Sequence, residues 1–109
     1  MARKNEEGKT RAPVKPRKRR QDRPEALALL GRQLRTVRNA QGFTSQDAFA
    51  YSCGIDRAYY SALERGERNV GILKLMQIAV AMGVEVGELI PPIEELEPTL
   101  AEAKKRLKK

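Results

Sequence analysis

Four short segments between Glu25 and Met82 have the residue pattern of helices, and a glycine follows each of them. In the first and last of these segments apolar residues recur at three- and four-residue steps, which places them on one face of an α-helix. Glycine suits the end of a helix because it adopts the left-handed backbone conformation at little steric cost. The four glycines are Gly42, Gly54, Gly66 and Gly83. The pattern predicts a bundle of short helices joined by tight turns.

The flanking residues predict where these helices begin and end. Thr44 or Ser45 precedes the second helix and Asp56 precedes the third, and such side chains can accept hydrogen bonds from the free N–H groups of a first helical turn. A fifth short helix is expected between Val84 and Ile90, because two prolines follow and stop it. The expected helices cover residues 25 to about 42, 46 to 52, 57 to 65, 72 to 82 and 84 to 90.

The last part of the chain predicts a short, charged helical tail. Ile93, Leu96 and Leu100 continue the apolar spacing, but Pro98 interrupts it as a continuous helix. A helix that begins at Pro98 would contain only twelve residues, a length that is marginal for an isolated helix in water.

Length, composition and charge define the expected domains. A chain of 109 residues with 5% aromatic residues and no Trp has room for one small all-α domain with an aliphatic core. Residues 1–24 carry ten Lys and Arg against three acids, residues 25–93 seven against seven, and residues 94–109 five against four. The net charge of +8 is therefore concentrated in residues 1–24, which are too polar to fold alone. The expected domains are a disordered basic arm (1–24), a folded domain (25–93) and a tail (94–109).

The residue inventory excludes several functional classes. The chain has no His and one Cys, Cys53, so Ser-His and Cys-His catalytic pairs, His/Cys zinc sites and disulfides are not expected. No Gly-rich phosphate loop occurs, and neither an enzyme nor a cofactor or small-molecule ligand is predicted. No apolar run is long enough for a membrane span or a signal peptide. The expected location is therefore the cytoplasm, in association with the prokaryotic nucleoid. The basic arm favours a polyanionic partner such as nucleic acid.

The segment from Ser45 to Asn69 resembles the Xre-type helix-turn-helix family, which includes phage repressors and restriction-modification controller proteins. Four features carry the resemblance: Ser45-Gln46 with Ala50, Gly54 eight residues after Gln46, the run Leu63-Glu64-Arg65-Gly66, and then Arg68-Asn69. The sequence departs from the family pattern by one apparent extra residue before Gln46 and by Val70-Gly71 in place of the common Pro with Ser or Thr. The resemblance implies a compact five-helix, phage-repressor-like DNA-binding domain.

The resemblance also implies that the third helix enters the major groove, where each base pair presents a distinct hydrogen-bond pattern. Tyr60 and Leu63 are expected to face the core, while other side chains face the DNA. The expected base contacts are Arg57, Ala58, Tyr59 and Ala62. Arg57 is the principal candidate, because a guanidinium can fork onto guanine O6 and N7. Packing of Tyr59 against a neighbouring loop stays open as an alternative.

Phosphate contacts are expected around the start of the second helix and the end of the third. A helix N-terminus directs N–H groups and partial positive charge outward, which favours a phosphate near Gln46. Asn69 has the alternative of capping the turn before the fourth helix. The expected phosphate contacts are Thr44, Ser45, Gln46, Arg65, Arg68 and Asn69. In similar repressors an acid at the position of Glu64 pairs with an Arg of the first helix, and Arg38 occupies that place.

The basic arm is expected to contact phosphates or the minor groove beside the major-groove helix. Its cluster consists of Lys15, Arg17, Lys18, Arg19 and Arg20. A solubilising tail and a nuclear-localisation signal are the alternatives for this cluster.

Because one reading helix covers few base pairs, a homodimer on double-stranded DNA is expected. Its interface would involve the fifth helix with Ile93, Leu96 and Leu100, although these residues can equally seal the domain. The alternative functions are a protein-interaction module, such as an antitoxin or adaptor, and a sequence-independent nucleic-acid binder.

Overall fold

This computed structural model describes residues 24–100, in which five α-helices and one 3₁₀ helix are joined by short turns and loops. The helices are α1 (Glu25–Ala40), α2 (Gln46–Ser52), α3 (Arg57–Glu64), α4 (Ile72–Met82), the 3₁₀ helix (Val86–Leu89) and α5 (Ile93–Thr99). No strand occurs in this part of the chain, and the predicted all-α, five-helix class is confirmed. Of the predicted arm (1–24) and tail (94–109), residues 1–23 and 101–109 lie outside the described residues.

The turn between α2 and α3 is short and is closed by main-chain and side-chain hydrogen bonds. Ser45 Oγ accepts from the N–H of Ala48 at 3.1 Å and so caps α2. Asp56 Oδ2 accepts from the N–H of Tyr59 at 2.9 Å and caps α3. Gly54 has φ of +70° between the two helices, a conformation that residues with a side chain rarely adopt. Main-chain bonds close the turn itself, since the N–H of Gly54 donates to the carbonyl of Tyr51 at 3.1 Å and the N–H of Ile55 donates to the carbonyl of Ala50 at 3.0 Å.

The close packing of α1 on α3 depends on two glycines. A methyl group on Gly31 would lie 2.7 Å from the carbonyl oxygen of Leu63 and closer still to that of Glu64. A methyl group on Gly66 would lie 2.7 Å from the Cα of Ala28. Both separations are below van der Waals contact, so the main chains of α1 and of the α3 terminus approach as closely as they do only because neither glycine has a side chain.

The hydrophobic core lies between α1, α2, α3, α4 and the 3₁₀ helix, and α5 contributes no buried residue to it. Its aromatic part is a row of rings in which the centroid of Phe49 lies 5.1 Å from that of Phe43 and 5.3 Å from that of Tyr60. Edge-to-face and tilted contacts at such distances add to the stability gained from burial. The largest fully buried side chains are Tyr60, Phe49, Leu34, Leu63, Ile78 and Leu89.

The C-terminal part differs from the expected pattern in two ways. The predicted fifth helix over residues 84–90 is a single 3₁₀ turn, closed by a capping box between Glu85 and Glu88. The fifth α-helix is instead α5, which contains Pro98 in its last turn and packs against α1. Proline is tolerated there because the helix ends one residue later, so its missing N–H interrupts little of the hydrogen-bond ladder. The predicted boundary after residue 93 therefore falls within α5.

None of the helices between residues 24 and 100 is both long and apolar enough to cross a membrane.

Candidate nucleic-acid interface

A buried ion pair joins α1 to the end of α3. Arg38 Nε donates to Glu64 Oε2 at 2.7 Å and Arg38 Nη2 donates to Glu64 Oε1 at 3.2 Å. The exposed fractions of the two side chains are only 5% and 0%. This is the pair that the family resemblance implied, and its two parallel bonds give it a fixed geometry.

The same carboxylate also holds the start of α2. Gln46 Nε2 donates to Glu64 Oε1 at 2.8 Å, and the exposed Arg35 guanidinium lies 3.6 Å from that oxygen. On the other side, Arg38 Nη1 donates to the carbonyl of Phe43 at 2.6 Å. The ion pair therefore ties together α1, the loop before α2, the first residue of α2 and the last residue of α3.

The charged state of Glu64 is favoured by these contacts. Burial alone would raise the pKa of this carboxyl group, but hydrogen bonds, first of all from Arg38, outweigh burial and hold the pKa below its usual range. The hydrogen bond to Glu64 also raises the pKa of Arg38. The hydroxyl of Tyr60 is buried beside this pair, and burial, with the nearby carboxylate, raises its pKa. The charge of Glu64 is thus neutralised inside the protein and is not presented to a phosphate.

The outward face of α3 begins with Arg57 and Ala58, which are both exposed. Tyr60 and Leu63 are buried in the core, as expected. The predicted outward position of Ala62 is wrong, since only 8% of this residue is exposed. Its single methyl group lies on the flank of α3, and both α1 and α2 pack against that helix. The exposed surface of α3 is therefore narrower than the helical periodicity predicted.

Arg57 has a neighbour that the sequence did not reveal. Arg57 Nη1 lies 3.4 Å from Asp47 Oδ2 on α2. Both side chains remain open to solvent, with exposed fractions of 72% and 61%. The guanidinium of Arg57 thus reaches across the gap between α3 and α2.

The end of α3 and the following loop add further cationic groups. Arg65 donates to Ser61 Oγ, and its Nε lies 3.0 Å from Glu67 Oε2. The guanidinium carbon of Arg68 lies 5.1 Å from the ring centroid of Tyr59, a cation–π distance. Tyr59 therefore contacts the loop after α3 and stays partly exposed, while Arg68 and Asn69 are both exposed.

The predicted phosphate contacts on α2 lie together at its N-terminus. Thr44 and Ser45 are exposed, whereas Gln46 is half-buried and its side-chain amide donates to Glu64. In the first turn of a helix the leading N–H groups have no partner within the helix.

Cys53 ends α2 on the side away from Gln46. Burial raises the pKa of its thiol, and its carbonyl accepts from Gln77 Nε2 at 2.6 Å. Within residues 24–100, no group of three or more His, Cys, Asp or Glu side chains is placed to hold a metal ion.

Comparison with known proteins agrees with this geometry. The family model described as helix-turn-helix matches residues 34–89, about half of the chain. The chain belongs to the helix-turn-helix family. Its helix-turn-helix is formed by α2, the turn at Gly54 and α3, and the first two residues of α3, Arg57 and Ala58, are exposed.

Individual relatives match most of their own length. The control protein C.MunI of Mycoplasma sp is 37% identical over 65 residues, which cover 60% of this chain and 88% of that protein. The solved structure of the restriction-modification controller protein C.AhdI from Aeromonas hydrophila is 39% identical, with a TM-score of 0.55 and coverage of 59% of this chain and 96% of that one. A hypothetical transcription factor from Neisseria, NHTF, is 33% identical, with a TM-score of 0.57 and coverage of 79% and 95%. This helix-turn-helix chain is a DNA-binding regulator of transcription.

Proposed function

We propose that this chain regulates transcription by placing α3 in the major groove of a specific duplex site, with Arg57 as the principal base contact. The observation that carries the proposal is the exposure of Arg57 and Ala58 on the first turn of a helix whose opposite face is buried in the core. The frame that presents this turn is rigid, because Glu64 binds α1 and α2 at the other end of α3. A guanidinium in this position can fork onto guanine, which discriminates against the wrong base by about 1–3 kcal/mol.

Phosphate contacts would position the domain on both sides of this reading turn. The exposed residues Thr44 and Ser45 precede α2, and Arg65, Arg68 and Asn69 follow α3. The main-chain N–H of Gln46 would contribute a further contact. Contacts of this kind fix the register of a protein on the duplex without reading its sequence.

General affinity would come from the basic arm. Residues 24–100 contain seven Lys and Arg against ten acids, so this part of the chain does not attract DNA by its net charge. The basic cluster of the arm, from Lys15 to Arg20, supplies the missing positive charge. Deleting residues 2–22 should weaken binding to all duplexes and reduce the logarithmic salt dependence by about 0.9 for each phosphate that the arm neutralises. An unchanged salt dependence would exclude the arm from DNA binding.

We further propose a homodimer whose interface is the outward face of α4. Leu73 and Val80 on this face are 77% and 82% exposed, and only Lys74 and Gln77 are polar among the eleven residues of the helix. A helix that is apolar on all sides normally has both faces covered. A second copy of the chain would cover this face and would supply the second α3 that a two-fold site needs, about 34 Å from the first.

The dimer can be tested by sedimentation equilibrium. Leu73→Glu and Val80→Glu should convert the dimer into a monomer, while Thr36→Glu on the exposed surface of α1 serves as the control. A dimer that survives both α4 substitutions but dissociates on Ile93→Glu would place the interface on α5, which is one of the two roles that the sequence left open for Ile93.

The main experiment is selection of bound sites from a random duplex library, followed by measurement of Kd for the selected site and for an unrelated duplex. Arg57→Ala should lose most of the preference for the selected site, whereas Arg32→Ala, an exposed arginine on α1, should keep it. A wild-type protein with no preference for any duplex would refute the proposal. The apolar face of α4 would then favour the alternative of a protein-interaction module.

A further inference from the structure

The carboxylate of Asp47 stands at the surface that would face DNA, where a negative charge repels phosphates. Its Oδ2 lies 3.4 Å from Arg57 Nη1, and more than half of its side chain is exposed. A second acid near the same surface, Glu64, is fully buried and neutralised by Arg38. Asp47 is not neutralised in this way, so its presence beside the reading turn needs an explanation.

Folding supplies only a small part of that explanation. Ser45 already caps α2 by accepting from the N–H of Ala48, so Asp47 is not needed as the cap. A carboxylate in the first turn does gain from the helix dipole, but an exposed ion pair between Asp and Arg contributes little to stability. The only partner that the structure gives to the Asp47 side chain within residues 24–100 is Arg57.

The geometry gives Asp47 two effects on DNA binding, and both act through Arg57. First, an Arg side chain loses considerable rotamer freedom on binding, and the contact with Asp47 already restricts Arg57 before it meets a base. Arg carries five N–H donors, so a guanidinium that donates once to Asp47 keeps enough donors to fork onto guanine O6 and N7. Second, a phosphate that binds Arg57 without sequence preference must displace Asp47 or tolerate its charge.

We propose that Asp47 is a specificity-determining residue, which holds Arg57 for a guanine and makes Arg57 a poor partner for phosphates. This inference rests on the proposed function, since it assumes that Arg57 contacts a base. It predicts that Asp47 lowers the affinity for unrelated duplexes more than the affinity for the selected site. The quantity that measures this role is the specificity ratio, which is Kd for an unrelated duplex divided by Kd for the selected site.

Two substitutions separate the two effects. Asp47→Asn removes the charge but keeps an oxygen that can accept from Arg57, while Asp47→Ala removes both. In Asp47→Asn, Kd for the unrelated duplex should fall about fivefold, as expected for one charge repulsion in water at close range, and the specificity ratio should fall by a similar factor. In Asp47→Ala the ratio should fall further, because Arg57 is no longer held.

The controls test whether the effect is local and acts through Arg57. Glu94→Gln changes the net charge equally at an exposed position on α5 and should leave the ratio within about twofold of wild type, a spread well below the effect of a close charge. In an Arg57→Ala background, adding Asp47→Asn should change the ratio by less than about twofold. Thermal unfolding should show that every variant folds as wild type does.

The possible results lead to different conclusions. In one possible result the specificity ratio is high in wild type and falls in Arg57→Ala, but is unchanged in Asp47→Asn. This result would overturn the inference about Asp47 and leave the proposed function intact. The inference would also be overturned if Asp47→Asn lowered the specificity ratio by the same factor in the Arg57→Ala background. A wild-type ratio near one would overturn both proposals together.

Discussion

Replacing Glu64 by alanine should strongly destabilise the folded chain. The substitution removes the two acceptor oxygens for Arg38, at 2.7 and 3.2 Å, and the acceptor for Gln46 at 2.8 Å. The Arg38 side chain is only 5% exposed, so its charge cannot turn to water for compensation. Breaking a buried ion pair on one side costs about 3–5 kcal/mol. For a folded unit of this size each kcal/mol lowers Tm by about 4–8 °C, so Tm should fall by at least about 12 °C.

Thermal and urea unfolding followed by circular dichroism measure this loss directly. The control is Glu94→Ala, which removes an exposed acid and should change the free energy of unfolding by no more than about 0.5 kcal/mol. The double variant Arg38→Met, Glu64→Leu should recover much of the loss, because neither charge is then left buried without a partner. If Glu64→Ala unfolds at the wild-type temperature, the ion pair does not hold these helices together.

Three further predictions concern the same ion pair and the packing around it. Because the pKa of Glu64 is lowered, its stabilisation should be complete above about pH 4.3 and be lost as the pH falls through the folded-state pKa. Urea unfolding across this range should show the loss in wild type and a smaller one in Glu64→Gln. Gly31→Ala should cost about 1–3 kcal/mol in thermal unfolding, because the added methyl group meets the main chain of α3. Gly87→Ala, where nothing lies within 4 Å of the added carbon, is the control, and equal losses would contradict the packing argument. Tyr60→Phe should change the free energy of unfolding by less than about 1 kcal/mol, since the buried hydroxyl has no hydrogen-bond partner among the described residues. A larger loss would mean that the hydroxyl does bind Glu64.

The helices that could be predicted from sequence have either a periodic apolar face with a glycine after it, as α1 and α4 do, or a capping residue before them, as α2 and α3 do. The structure confirms α1 and α4 over Glu25–Ala40 and Ile72–Met82. The segment from residue 84 to 90 has apolar residues three positions apart at Val86 and Leu89. Over so few residues that spacing fits a 3₁₀ turn as well as an α-helix, so the sequence could not distinguish the two.

The parts of the site that sequence could not predict depend on how the helices cross, which periodicity does not contain. Asp47 and Arg57 are ten positions apart on different helices, and they meet because of the angle between α2 and α3. Ala62 is covered because neighbouring helices overlap the flank of α3. Gly31 did carry a signal in the sequence, since a glycine inside a helical pattern often marks close packing. Glu64 was assigned to Arg38 only through a family resemblance, because nothing local to either residue identifies its partner.

The distribution of charge explains why a buried acid is compatible with a surface that meets DNA. Residues 24–100 contain more acids than bases, so their field alone would weaken association with a polyanion. Glu64 escapes this cost because Arg38 and Gln46 donate to it within the protein, and its charge serves to fix α2 against α3. The acids that stay exposed, such as Asp47, still oppose phosphates wherever they bind. Affinity for DNA must then depend on a few well-positioned side-chain contacts and on the arm. Such a protein gains its preference for one site as much from weakening non-specific binding as from strengthening the specific contact.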